Sequence, residues 1–128
     1  MPIDAKEFLD AAETLAKSSN TEAYARTSIS RSYYCMYHKV LSILDSKPMS
    51  YDGKGCHASL IDYLANGTRG IEKHDARELR KLSYMLRQEK DTRVAADYKL
   101  DMELTPAHAE QSLKTAKRCF DMCESLVA

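Results

Sequence analysis

A chain of 128 residues and 14.5 kDa has room for one domain with a continuous buried core, which excludes two-domain enzymes. Its 19 Lys and Arg balance 19 Asp and Glu, so no global field draws it onto nucleic acid or an anionic membrane, and any such binding has to be local. With 44% hydrophobic and 30% charged residues, four Gly and three Pro, the composition is that of a helical globular protein and not of a disordered one.

Asp4 is a candidate N-cap for a first helix, in which Ala5, Phe8, Leu9, Ala12, Leu15 and Ala16 recur at three- and four-residue steps until Ser18, Ser19 and Asn20 end the pattern. A second, longer helix is predicted over 21–46 with Asn20 or Thr21 as its cap. No Gly or Pro interrupts it before Pro48, and Tyr34, Tyr37, Leu41 and Leu44 keep the apolar period. The stretch 47–55 holds Pro48, Gly53 and Gly55 and reads as a loop. A short helix over 57–66 then stops at Gly67, read as a left-handed residue just past the helix end. Asp75 with Glu78 three residues on forms a capping-box pattern for a fourth helix, with Leu79, Leu82, Met85 and Leu86 inward and Arg77, Arg80, Lys81 and Arg87 outward. Its end falls between Lys90 and Tyr98. Thr105-Pro106 opens the last helix, whose buried stripe is Ala109, Leu113, Ala116, Phe120 and Cys123. No segment alternates with period two, so the fold is expected to be all-α, a bundle of four to five helices in one domain over 1–128.

Apolar runs fall far short of a membrane span and the start Met-Pro-Ile-Asp lacks the features of a signal peptide, so a soluble, cytoplasmic protein without membrane contact is expected. In that setting Cys35, Cys56, Cys119 and Cys123 are read as free thiols, mostly filling the core. Cys119 and Cys123 lie four apart on one helix face, but nothing completes a tetrahedral ligand set, so no zinc or other cofactor is expected. His57 and His108 sit near helix starts, where they can bond locally, and His74 precedes a cap and is read as exposed.

The densest chemistry lies in Arg31-Ser-Tyr-Tyr34-Cys-Met-Tyr-His38 on the second helix. Arg31 and His38 share a face with Tyr34 between them, their Cα atoms about 10.5 Å apart at 1.5 Å per residue, so both side chains can approach one phosphate or a carboxylate from a neighbour. The competing reading pairs Arg31 with an acid on another helix and packs His38 with a ring nitrogen hydrogen-bonded. Accessibility discriminates: an open Arg31 and His38 favour a site, full burial against acids favours structure. A second basic grouping runs from Arg69 through Lys73, Arg77, Arg80, Lys81, Arg87 and Lys90 to Arg93, with eight basic residues against five acidic ones between Thr68 and Arg93. Such a run is read as a solvated face that can also line an RNA backbone. No glycine-rich phosphate loop, Gly-X-Ser-X-Gly elbow or His-Glu zinc motif occurs.

Residues 25–44 resemble the signature helix of HEPN domains, Arg-X-Tyr-Tyr-X-X-(Phe/Tyr)-His, matched by Arg31, Tyr33, Tyr34, Tyr37 and His38. Cys56-His57-Ala-Ser-Leu-Ile is similar to the family's His-X-X-Leu-Ile, Arg93-Val-Ala-Ala-Asp97-Tyr98 to its Arg-X-X-Ala-Asp-Tyr, and the helix after Leu104-Thr105 to its closing helix. The resemblance implies an antiparallel, HEPN-like helical bundle, commonly a homodimer, that binds RNA or nucleotides in toxin and defence systems, often beside a nucleotidyltransferase-type partner. Active members use an Arg-X(4–6)-His motif to cleave RNA without metal. Here Tyr98 stands where the active branches have His late in the chain, and a Tyr of pKa about 10 is a poor base at neutral pH. Arg31 and His38 are then the candidate catalytic pair, with Tyr34, Arg93, Asp97 and Tyr98 supporting them. The alternative is a non-catalytic interaction module.

Overall fold

In the computed structural model, which describes residues 3–18, 21–45 and 55–128, every regular element is a helix. The five are α1 (Ala5–Lys17), α2 (Glu22–Ile43), α3 (Cys56–Asn66), α4 (Ala76–Tyr98) and α5 (Pro106–Val127). The all-α class expected from the sequence is therefore observed. Among the described residues no helix is long and apolar enough to cross a membrane.

Side chains set the helix starts. The Asp4 carboxylate accepts the Lys6 N–H and the Glu7 carboxylate accepts the Asp4 N–H, each at 3.0 Å, so α1 opens on a closed capping box. Thr21 caps α2 by accepting the Tyr24 N–H at 3.4 Å, whereas Asn20 and the expected end at Ser46 lie outside the described residues and the helix stops at Ile43. Asp75 caps α4 through the Arg77 N–H at 2.9 Å, but Glu78 turns to Lys81 at 3.1 Å and the expected box does not close. Helix α4 runs on to Tyr98. At the start of α5, His108 Nδ1 accepts the Thr105 N–H at 2.9 Å, the reach-back that Glu usually makes.

Gly67 corrects the sequence reading. It closes α3 with φ −112°, and its N–H donates to the Tyr63 carbonyl at 2.8 Å, so it is not left-handed. A Cβ there would meet Tyr63 Cδ1 at 2.9 Å, so glycine serves close approach. The positive φ, +80°, falls at Gly70. His74 is likewise not exposed: it is half-buried, its ring Nε2 3.1 Å from the Ile43 carbonyl that the end of α2 leaves without a helical donor.

Helix α2 is central, packed against α1, α4 and α5, and α3 packs on α4. Tyr34, Tyr37, Leu41 and Leu44, expected as its inward stripe, are only half-buried; the fully enclosed positions are Ile29, Tyr33, Met36 and Val40, one residue earlier in phase. A helix with neighbours on three sides has no single inward stripe, and the deepest face can carry Ser28 and Ser32 among apolar residues. Leu60 and Leu64 of α3, Leu79, Leu82 and Leu86 of α4, and Ala116 and Cys119 of α5 complete the main core. A second cluster of Ala25, Ile29, Ala96, Leu104 and Ala109 fills the other end of α2. Cys35, Cys119 and Cys123 are buried free thiols that fill the core, and Cys56 is exposed at the start of α3.

Candidate functional site

The tyrosine edge of α2 that is not fully buried gathers side chains from three other helices. Phe8 of α1 stacks on His38, ring centroids 5.3 Å apart and 10° between planes. Tyr34 lies 6.3 Å from the same imidazole, and Tyr37 meets it edge-on at 5.2 Å. Beyond Tyr37 sits His57 of α3, its centroid 4.3 Å away. Tyr33, fully buried beneath, is within 2.8 Å of His57 Nδ1 through its hydroxyl.

Two guanidinium groups flank this aromatic cluster. Arg31 Cζ is 4.8 Å from the Tyr34 centroid and 5.8 Å from that of Phe8. Arg93 of α4 lies 5.7 Å from Tyr34 and 5.3 Å from Tyr33. A polar chain joins the two: Arg31 Nη2 donates to Ser30 Oγ at 3.4 Å, Ser30 Oγ donates to Asp97 Oδ2 at 3.3 Å, and Arg93 Nη1 is 3.5 Å from the same oxygen. The Nε atoms of Arg31 and Arg93 are buried without an acceptor, and the nearby ring faces offset part of the cost of about 1–3 kcal/mol that such a donor carries.

The electrostatics separate the ring groups. Partial burial holds His38 below its ordinary value, and His57 is lowered first by burial and then by the charges of Arg93, Lys90 and His38. Both imidazoles are therefore neutral at pH 7 and can accept a proton. Burial drives the Tyr33 phenol well above its usual range, which keeps it protonated. Tyr37 is pushed up to about 12 by burial and by its hydrogen bond with Cys56.

Of the residues singled out from the sequence, Arg31, Tyr34, His38, Arg93 and Asp97 come together, Arg31 half-buried and His38 exposed. Among the described residues Arg31 has no carboxylate within ion-pair distance and His38 has no hydrogen bond to its ring. The structural pairing considered for them is thus not formed among the described residues. Tyr98 stands apart, 71% exposed at the end of α4 and without a hydrogen bond or ring contact to the cluster. Arg93 also parts from its basic run: it is buried toward α2 while Arg77, Arg80, Lys81 and Arg87 are exposed. Sequence patterning does not mark Phe8 or His57 as site residues, since each joins the cluster only through tertiary packing. The signal for His57 is its place in the Cys56-His57 motif. No group of three His, Cys, Asp or Glu suited to a metal occurs among the described residues. Comparison with protein-family models, curated proteins and solved structures returns no significant match for this chain.

Proposed function

We propose that the Arg31–His38 face receives an RNA phosphodiester and that the chain is a HEPN-like, metal-independent ribonuclease acting as a cytoplasmic homodimer in a toxin or defence system. The observation that carries this reading is that Arg31, with no carboxylate partner among the described residues, and His38, accessible and neutral at pH 7, share the Phe8 and Tyr34 rings. His38 takes the proton of the ribose 2′-hydroxyl, whose oxygen attacks the adjacent phosphorus. Arg31 neutralises the charge that develops on the non-bridging oxygens. The bond from phosphorus to the 5′-oxygen breaks, that oxygen takes a proton from solvent, and a 2′,3′-cyclic phosphate remains. Arg93 with Asp97 positions the Tyr34 ring between the two.

The test is incubation of purified protein with mixed RNA in excess EDTA, reading cyclic-phosphate ends. Wild type cleaves; His38→Ala and Arg31→Ala lose about 10²- to 10⁴-fold in rate while keeping helical content and dimer mass. Intact RNA with wild type, or a variant cutting at the wild-type rate, overturns the catalytic reading. A second reading, a non-catalytic module paired with a nucleotidyltransferase-type partner, draws on Tyr98 and Leu100, 71% and 77% exposed where α4 ends. It predicts RNA left whole and lower stability in both variants.

A further inference from the structure

We propose that the groove between α4 and α5 is the docking site for an acidic amphipathic helix of a partner protein. This inference stands on a different face from the RNA reading and does not depend on it. The groove has a volume of 720 Å³, with Arg77, Arg80 and Lys81 of α4 and Arg118 of α5 along it and Tyr84, Met85 and Met122 supplying apolar surface. Tyr84 is 61% exposed. Lys81 pairs with Glu78 at 3.1 Å, but Arg77, Arg80 and Arg118 have no ion-pair partner among the described residues. Four cations thus line one partly apolar strip of a chain whose charges sum to zero overall. From Arg77 to Thr92 the groove follows α4 for about 22 Å, the length of a helix of about four turns. Thioether side chains adapt to an apolar helix face, and carboxylates flanking that face meet the arginines.

The apolar surface distinguishes this occupant from the alternatives. Met85 and Met122 give a phosphodiester backbone nothing to pair with, whereas the apolar face of a helix buries against them. A second copy seated two-fold on the same groove would set Arg77, Arg80 and Arg118 against themselves.

The probe is a lactam-stapled, fluorescein-labelled 16-residue helix with Leu at three- and four-residue steps and Glu on both flanks, followed by anisotropy with the full chain. Expected are saturable one-to-one binding, at least tenfold weaker binding of the same helix with Lys replacing Glu, and a loss of at least tenfold in Arg80→Glu/Arg118→Glu. That double variant keeps its circular dichroism. No saturable binding, equal affinity for the Lys helix, or no effect of the charge reversal overturns the proposal. So does displacement of the peptide by single-stranded RNA, or self-association that the double variant abolishes.

Discussion

Arg31 and Arg93 meet the same Tyr34 ring and differ in what else holds them. Arg93 is buried and tied to Asp97 one helical turn on, whereas Arg31 has, among the described residues, only the weak bond to Ser30. That difference assigns positioning to the first and ligand contact to the second. The imidazoles carry a pH signature. Because burial lowers His38 and His57 in the fold, the folded chain binds fewer protons than the unfolded one over the window just below 6.5. Their contribution to stability is complete above 6.5 and is lost as pH falls through the lowered folded values. Proton NMR of the two rings should show titration midpoints below 6.5, and cleavage should rise with pH to a plateau reached by about pH 7. A midpoint above 6.5 for His38 would contradict burial as the dominant influence on that ring.

At the scale of elements, what is legible in the sequence is what acts locally. Asp4 with Glu7, Thr21, and Thr105 ahead of Pro106 are caps whose partners lie within three residues, and the helices start where those residues stand. Gly67 misleads because its need is set by the Tyr63 ring, which folding pins in place: the Tyr63 hydroxyl donates to Glu72 at 2.5 Å, and Glu72 also accepts the Asp45 N–H at 2.7 Å. A methyl group on residue 67 has to displace a ring that cannot swing away. Gly67→Ala should cost about 1–2 kcal/mol in urea denaturation, and most of that penalty should vanish in a Tyr63→Leu background. Equal penalties in both backgrounds would point to backbone conformation instead. The phase of α2 misleads for a related reason, since a period shows that a helix has apolar faces and not which of three neighbours lies closest.

For the whole molecule, the least legible feature is the contact that ties the start of α2 to the end of α4. Arg26 stands near the start of α2, where a charged side chain has easy access to solvent, yet it is 9% exposed. Its Nε donates to Glu22 at 2.7 Å, while Nη1 donates to the carbonyls of Ala95, Ala96 and Lys99 at 3.0–3.2 Å and Nη2 to that of Met102. Those carbonyls belong to the last turn of α4 and the turn beyond it, so one planar cation satisfies the helix end and opposes its dipole. The acceptors are backbone atoms some 70 positions away, which no pattern of side chains announces. Through this contact the start of α2, the end of α4 and the approach to α5 close around the small cluster of Ala25, Ile29, Ala96, Leu104 and Ala109. Arg26→Ala should therefore lower stability by about 1.5–3 kcal/mol, the range for hydrogen bonds to charged groups. Arg26→Lys should recover only a fraction, because a point charge cannot span four carbonyls as the guanidinium does. Amide exchange locates the effect: protection should fall first at residues 95–109 while Leu60, Leu82 and Val40 in the main core stay protected. Uniform loss of protection would mean that the two cores unfold as one unit and that Arg26 acts on the whole bundle.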